Sequence, residues 1–334
     1  MKLSVLDQGI IAKGETAEQA LAQTVALAKA VDELGYHRIW YSEHHSSRGL
    51  ASTAPEIVVA HIASVTKNIR VGTGGVMLMH YAPYKVAEVF NTLATLHPHR
   101  IDLGIGRAPG GDYGAMLALS QGKRPELDNI YEKIEETLQY MNQKHPNTQA
   151  FAGPIASSLP ETWLLGSSGN SARQAAELGM GYSYAHFIGG QLETTIFEQY
   201  RHHFTPSYFM EKPQINVGYA TITADSKEEA EFEAASLDLM FLNIEKGISG
   251  PLVSPEEALS RSYSEMDKMR IEANRRRMVV GTTKEVAETL RQNEQKYGIQ
   301  EAMIVAIHYS RNSRLKTYQS MAKEFGCQAK GKMS

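Results

Sequence analysis

The sequence predicts an α/β fold, a (β/α)8 TIM barrel formed by one domain over residues 1–334. Short apolar runs alternate with amphipathic stretches along the chain, and this alternation yields eight strand-like segments that are mostly followed by helices. The first βα turn also lacks the glycine fingerprint of a dinucleotide site, which disfavours the alternative of a doubly wound sheet. No change of composition marks a linker to a second domain.

The predicted strands are apolar runs, and they occupy residues 3–6, 39–42, 69–76, 101–105, 163–165, 181–184, 215–220 and 303–307. Helix signals lie between them. Thr16 with Gln19 and Thr282 with Glu285 have the spacing of capping boxes, in which each side chain of the pair caps the other's backbone N–H. A further helix is expected at about residues 84–96, where Pro98 stops it.

Two connections are too long for simple βα turns. Residues 106–161 follow the fourth strand and residues 223–302 follow the seventh, so we expect insertions with additional helices at both places. The second insertion contains residues 247–251, a run rich in glycine, serine and proline. Such a segment in an enzyme is typical of a lid or of an interface.

Composition excludes several classes of protein. The net charge of −3 gives no electrostatic basis for nucleic-acid binding, and we interpret the run from Arg275 to Arg277 as a solvated helix face rather than an anion site. One cysteine, Cys327, excludes an internal disulfide and is typical of a reducing compartment. The sequence has neither a run of about 18 apolar residues nor the plan of a signal peptide, so we expect no membrane span and a cytoplasmic protein.

The active site of a TIM barrel lies at the carboxyl ends of the strands, and a serine- and glycine-rich turn follows the fifth strand there. Residues 166–171 join this strand to a helix, whose first N–H groups suit a phosphate. Arg107, which follows the neighbouring strand, offers a bidentate contact to the same group. The alternative is that the serines only cap the helix and the glycines only turn the chain.

Two further patterns lie at strand ends. The pair Gly74-Gly75 weakens a strand, and either a flat ligand against the backbone or a strained peptide bond would explain it, although a simple β-bulge is the better explanation of the pair alone. The run Glu43-His44-His45 does not predict a metal site, because adjacent side chains of an extended chain point in opposite directions. One histidine facing the barrel mouth as an acid or base is the favoured interpretation.

Five motifs, in order over nearly the whole chain, resemble those of the bacterial luciferase-like flavin monooxygenases. The motifs are Trp40-x-x-Glu43-His44-His45, Gly72-Thr73-Gly74-Gly75-Val76, Arg100-Ile101-Asp102-Leu103-Gly104-Ile105-Gly106-Arg107-Ala108, Gly166-Ser167-Ser168-Gly169-Asn170-Ser171-Ala172 and Val280-Gly281-Thr282-Thr283-Lys284-Glu285-Val286-Ala287. The form Arg107-Ala108-Pro109-Gly110 looks most like the luciferase-like oxidoreductase subgroup. Gly106 stands where luciferase itself has a cysteine, so we expect no light emission.

The resemblance implies a homodimeric enzyme that binds FMN and uses the reduced flavin with O2 on a small organic substrate such as an aldehyde. The flavin ring would lie across Gly74, Gly75 and Val76, where the family often has a non-prolyl cis peptide. His44 would assist the reaction of flavin with oxygen, and Glu43 would orient the site or hold the dimer interface. The resemblance also implies that the phosphate binds Arg107, Gly166, Ser167, Ser168 and Ser171, and that Asp7, Ala185 and His186 form the pocket wall.

Other functions remain open at this point. No nicotinamide fingerprint is present, so a separate flavin reductase is expected to supply the reduced flavin. A deazaflavin (F420)-dependent oxidoreductase on the same fold is the nearest alternative, and a flavin-binding protein without catalysis is another. A barrel lyase or aldolase lacks support, because no lysine suited to a Schiff base stands at a strand end.

Overall fold

The computed structural model describes residues 1–122 and 129–328, and it confirms the predicted barrel. Eight parallel strand positions form the ring in the order β1, β2, β3, β5, β6, β7, β8 and β10, and β8 pairs with β10 to close it. The short strand β4 continues β3 and pairs with β5. The strands are β1 (Lys2–Asp7), β2 (Arg38–Tyr41), β3 (Arg70–Thr73), β4 (Val76–Met77), β5 (Ile101–Gly106), β6 (Glu161–Gly166), β7 (Gly181–Ala185), β8 (Ile215–Ala224), β9 (Met278–Thr282) and β10 (Glu301–Ala306).

Helices surround the ring, and both predicted capping boxes are confirmed: Thr16 with Gln19 begins α1, and Thr282 with Glu285 begins α12. The helices are α1 (Ala17–Glu33), α2 (Pro55–Val65), α3 (Pro83–Leu96), α4 (Tyr113–Leu119), α5 (Ile130–Met141), α6 (Gly169–Glu177), α7 (His186–Gly189), α8 (Thr194–His203), α9 (Lys227–Glu245), α10 (Pro255–Leu259), α11 (Glu265–Asn274), α12 (Thr283–Tyr297) and α13 (Arg311–Phe325). Within the described residues, none of these helices combines the length and the hydropathy that crossing a membrane requires.

Two details of the predicted strands are wrong. The third strand is interrupted at Gly74 and Gly75, because the chain there packs directly against the backbone of β5. The prediction also missed β9, which lies outside the closed ring and pairs in parallel with the second half of β8, from Ala220 to Ala224. This pairing explains why β8 is longer than the apolar run at residues 215–220 had indicated.

Both predicted insertions contain the expected helices. The fourth barrel position, β5, is followed by α4 and α5, and the seventh, β8, is followed by α9, α10, α11, β9 and α12. Residues 247–253, hereafter the cover segment, lie between α9 and α10 against the loops that follow β1 and β2. The N–H of Leu252 donates to the carbonyl of Ile11 at 2.9 Å, and the N–H of Lys13 donates to the carbonyl of Leu252 at 2.7 Å.

A buried ion cluster fills the amino-terminal end of the barrel, opposite the expected site. Arg38 is fully buried and pairs with Asp102 at 2.7 Å, with Glu301 at 2.8 Å and with Glu161 at 3.1 Å, and Arg70 pairs with Asp102 and Glu161. Burial alone would raise the pKa of Asp102, but the two guanidinium groups hold it below its usual value. Charges at this end of a barrel serve stability rather than catalysis.

Candidate active site

A cavity of about 660 Å³ opens at the carboxyl ends of the barrel strands. Its wall combines the loops that follow β1, β2, β5 and β7 with one face of α9 and with the cover segment. Most lining side chains are apolar. The polar and charged side chains in this wall include Gln8, His44, His45, Asp112, Asn243 and Arg277. A concave, mostly apolar pocket with a few polar groups is the usual form of a site for a small organic ligand.

His44 lies in this wall as the sequence predicted, in the loop that follows β2. Its backbone N–H donates to the carbonyl of Ser52 at 2.9 Å, and its Nδ1 lies 3.0 Å from the hydroxyl of Ser42. Burial, with a smaller contribution from His45, lowers the pKa of His44 to about 4, so the imidazole is neutral at neutral pH. When the Ser42 hydroxyl donates to Nδ1, the ring proton sits on Nε2, the nitrogen left for a ligand.

Glu43 is buried and acts as a brace rather than as a cavity residue. Its carboxylate accepts hydrogen bonds from the N–H of Met77 at 2.9 Å and from the phenol of Tyr81 at 2.6 Å, and it lies 2.7 Å from Nε2 of His45. Burial and the neighbouring Glu43 carboxylate raise the pKa of the Tyr81 phenol well above its usual value. The loop that carries His44 is thereby tied to β4 and to the turn after it.

The Gly74-Gly75 peptide is cis, and both glycines are buried together with Val76. A Cβ atom on Gly75 would lie 2.8 Å from the carbonyl oxygen of Gly104 and from the nitrogen of Gly106, and one on Gly74 would lie 2.7 Å from a methyl group of Leu6. Close packing of two backbones therefore requires glycine here. None of Gly74, Gly75 and Val76 lines the cavity of 660 Å³.

Arg107 and the first turn of α6 meet at the side chain of Tyr131, in α5. Nη1 of Arg107 donates to the Tyr131 phenol at 3.0 Å, and Nδ2 of Asn170, in the first turn of α6, donates to the same oxygen at 3.2 Å. Ser168 is the N-cap residue of α6, but its side chain makes no capping hydrogen bond to the helix. The first N–H groups of α6 thus lack a capping side chain and can bind an anion near Arg107.

Ser171 and Gly166 differ from their predicted roles. Ser171 is fully buried, its hydroxyl donates to the carbonyl of Ser168 at 2.8 Å, and it lies 3.2 Å from the phenol of Tyr182. Gly166 packs against the Ser171 side chain, which explains why a glycine stands there. Ser167 and Ser168 are half-buried beside the start of α6, so they remain available to a ligand while Ser171 does not.

Asp7 is not part of the cavity wall, contrary to the prediction. It is fully buried, and its carboxylate accepts hydrogen bonds from Arg314 at 2.9 Å, from Thr24 at 2.8 Å and from the N–H of Gly9 at 2.9 Å. Burial opposes ionisation, but these partners, led by Arg314, lower the pKa of Asp7 below its usual value. The contacts of Asp7 with Thr24 and Arg314 tie β1 to α1 and α13.

Ala185 and His186 do not line the main cavity either. The ring of His186 packs against that of Tyr219, with the ring centroids 5.2 Å apart. His186 lines a second, smaller cavity of about 430 Å³, and burial lowers its pKa to about 4. The side chains that enter the main cavity from this loop are Phe187 and Ile188, directly after the predicted pair. The prediction named Ala185 and His186, whereas the two residues that follow them line the main cavity.

Sequence reasoning also missed Arg277 and the cavity face of α9. Arg277 is the last residue of the run that we interpreted as a solvated helix face, yet it lines the cavity. Charge alone could not separate it from Arg275 and Arg276. The described parts of the chain contain no group of three or more histidine, cysteine or acidic side chains arranged to hold a metal ion.

The comparisons of this chain with family models, known sequences and solved structures agree on one family. The family model described as luciferase-like monooxygenase matches residues 1–301. The Bacillus subtilis protein YwcH is 44% identical over 330 residues, covering 97% of this chain and 99% of its own. The N-acetyl-S-alkylcysteine monooxygenase of the same organism is 35% identical over 312 residues, covering 91% of this chain and 92% of its own. The crystal structure of apo-MsnO8 superposes with a TM-score of 0.89 at 34% identity and covers 98% of this chain and 99% of MsnO8.

Two more distant structures share the fold with different cofactors. The oxygenating constituent of 3,6-diketocamphane monooxygenase from Pseudomonas putida, in complex with FMN, has a TM-score of 0.69 at 18% identity and covers 97% of each chain. An F420-dependent secondary alcohol dehydrogenase has a TM-score of 0.69 at 13% identity and covers 96% of this chain and 97% of its own. At these identities the likeness concerns the barrel and not the choice of cofactor.

Proposed function

Because this chain belongs to the luciferase-like monooxygenase family, we propose that it is an FMN-dependent monooxygenase that uses reduced flavin and O2 to oxidise a small, mostly apolar organic substrate. The observation that carries the proposal is the position of three features at one end of the barrel. These are the uncapped start of α6, the Arg107 guanidinium beside it, and the cavity that His44 lines.

The residues at this end fit FMN. The phosphate would bind Arg107, Ser167 and Ser168 and the first N–H groups of α6, since an exposed guanidinium and an uncapped helix start both attract an anion. The ring would approach the chain near Gly74, Gly75 and Val76, the positions that the family resemblance implies, while Leu6 and β5 fill the space beside the two glycines. Reduced FMN, when bound, supplies the electrons that activate O2.

The chain's own residues orient the reactants and stabilise negative charge on oxygen. His44 is neutral, so its Nε2–H can donate a hydrogen bond to an oxygen atom in the cavity, while Ser42 fixes the ring through Nδ1. Glu43 holds this loop in place without entering the cavity. The apolar wall offers water few hydrogen-bonding partners, which favours an apolar substrate in the cavity.

F420 is the second candidate cofactor, since the fold accommodates it in a distant structure. Its long acidic tail would require a basic groove. In the described part of the chain, Arg107 is the cation that contacts the Tyr131 phenol beside α6, which favours the shorter, singly phosphorylated FMN. A flavin-binding protein without catalysis remains the third candidate, and a neutral histidine in the cavity wall favours an enzyme over it.

The proposal includes partners and location. A separate flavin reductase would supply reduced FMN, in keeping with one distant structure, which is the oxygenating constituent of 3,6-diketocamphane monooxygenase. A homodimer and a cytoplasmic location complete the proposal, and the mass of the particle in solution, measured by light scattering, tests the first of them.

The decisive experiment measures the binding of FMN, riboflavin and F420 to the purified protein by fluorescence, followed by O2 uptake with reduced FMN and a panel of aldehydes and thioethers. We expect FMN to bind at least about tenfold more tightly than riboflavin, because only FMN carries the phosphate. Preferential binding of F420 would reverse the order of the candidates. Tight FMN binding without substrate-dependent O2 uptake would favour the non-catalytic alternative.

A further inference from the structure

One strongly basic side chain, Arg277, lies in the cavity wall across the barrel mouth from His44. From β2 the ring continues through β3, β5 and β6 to β7, so β7 stands opposite β2 among the eight positions. His44 follows β2. Arg277 packs on the loop after β7, where a Cβ atom on Gly190 would lie 3.3 Å from Cγ of Arg277. The two side chains therefore mark opposite ends of one cavity.

The Arg277 guanidinium is only partly paired. Within the described residues its ion pair is with Glu245, at 3.6 Å, and both side chains are partly exposed. Arg275, two residues earlier, is paired far more closely, with Asp238 at 2.6 Å and Glu231 at 2.9 Å. Because a guanidinium has five N–H donors, Arg277 retains the capacity to bind a carboxylate through two parallel hydrogen bonds.

The wall between His44 and Arg277 is apolar. The loop after β7 and one face of α9 supply most of it, through Phe187, Ile188, Leu239, Met240, Phe241 and Ile244. The acidic member of the lining, Asp112, lies on the loop after β5 and accepts hydrogen bonds from the N–H of Ala115 and the hydroxyl of Ser46. The cavity thus offers a neutral hydrogen-bond donor at one end, an apolar middle and a cation at the other end.

We infer that Arg277 binds a carboxylate of the substrate, so that the enzyme selects apolar molecules with an anionic end remote from the atom that is oxidised. The inference rests on the proposed function, because it assumes that oxidation takes place beside His44. Glu245 competes with the substrate for the same guanidinium, and it would release Arg277 when the carboxylate arrives.

Calorimetric titration of the protein, with and without FMN, tests this with octanoate and 1-octanol as probes that differ only in the charged end. We expect octanoate to bind about tenfold more tightly or better, since hydrogen bonds between charged groups contribute at least that much. Arg277→Met should abolish this preference and leave octanol binding unchanged. Arg276→Met is the matched control, because Arg276 does not line the main cavity, and it should preserve the preference.

Glu245→Gln supplies a result of opposite sign. Removing the competing carboxylate should strengthen octanoate binding by a factor of about two to five, an effect that general damage to the fold would not produce. Equal binding of octanoate and octanol to the unmodified protein would overturn the inference. So would an Arg277→Met variant that loses FMN affinity while its octanoate affinity stays unchanged, because Arg277 would then contact the flavin.

The two proposals fail in different ways. A protein that binds neither FMN nor F420, yet distinguishes octanoate from octanol through Arg277, would refute the proposed function and support the carboxylate site. Tight FMN binding with no preference for octanoate would refute the carboxylate site alone.

Discussion

Arg107 is exposed, and its guanidinium contacts the Tyr131 phenol beside the first turn of α6. Arg107→Ala removes the charged partner of the proposed phosphate, so FMN binding should weaken by about 1.5–3 kcal/mol while riboflavin binding changes little. Fluorescence titration with the two flavins measures both values. Arg173→Ala, at an exposed position later in α6, is the control that should alter neither. An unchanged dissociation constant for FMN would remove Arg107 from the phosphate site.

His44 lines the cavity with a neutral imidazole. His44→Ala should retain bound FMN but lower turnover by about a hundredfold, which is the usual contribution of a positioned hydrogen-bond donor to a developing negative charge. Stopped-flow rates with the true substrate measure this, and His61→Ala, on the exposed face of α2, serves as the control. Turnover at the unmodified rate would exclude His44 from the mechanism.

The pKa of His44 also sets a pH dependence of stability. In the unfolded chain the ring takes up its proton near pH 6.5, whereas burial holds its folded pKa at about 4. The neutral ring therefore favours the folded state above pH 6.5, and this contribution is lost as the pH falls from 6.5 toward 4. Denaturant titrations over this range should show a steeper loss of stability for the unmodified protein than for His44→Ala.

At the scale of the element, close packing between the segment after β3 and strand β5 sets the distance between these two parts of the barrel. A methyl group on Gly75 would lie 2.8 Å from two backbone atoms of β5, so Gly75→Ala should lower the free energy of unfolding by about 1–3 kcal/mol. Gly114→Ala, within α4, is the matched control and should be neutral or stabilising. The nearest atom to the added Cβ would lie 3.4 Å away, and alanine favours a helix over glycine. Equal effects of both substitutions on urea midpoints would contradict this account.

At the scale of the whole molecule, the ion cluster at the amino-terminal end joins strands that are far apart in the sequence. Asp102→Asn leaves the buried Arg38 and the adjacent Arg70 without their shared carboxylate and should cost about 3–5 kcal/mol. Glu161→Gln is the control, since Glu161 is partly exposed and should cost less. Thermal unfolding ranks the two variants, and a larger loss for Glu161→Gln would contradict the argument.

How much of the molecule could be predicted depended on the range of the interactions. The alternation of strands and helices and the two capping boxes are local patterns, and they were predicted correctly. The partner of Asp7 is Arg314, 307 residues away, and no local pattern indicates such a pair. Ser171 and Arg277 were misinterpreted because a sequence shows the type of a side chain but not the direction in which the fold turns it.

The ion cluster and the cavity occupy opposite ends of the barrel and share no side chain. Laboratory evolution could therefore change the range of substrates by varying the cover segment and the partly exposed cavity positions of α9, Met240, Asn243 and Ile244, while the ion cluster stays intact. A library restricted to these positions would keep a larger share of folded variants than one spread over the whole gene, because it leaves the buried residues of α9 unchanged.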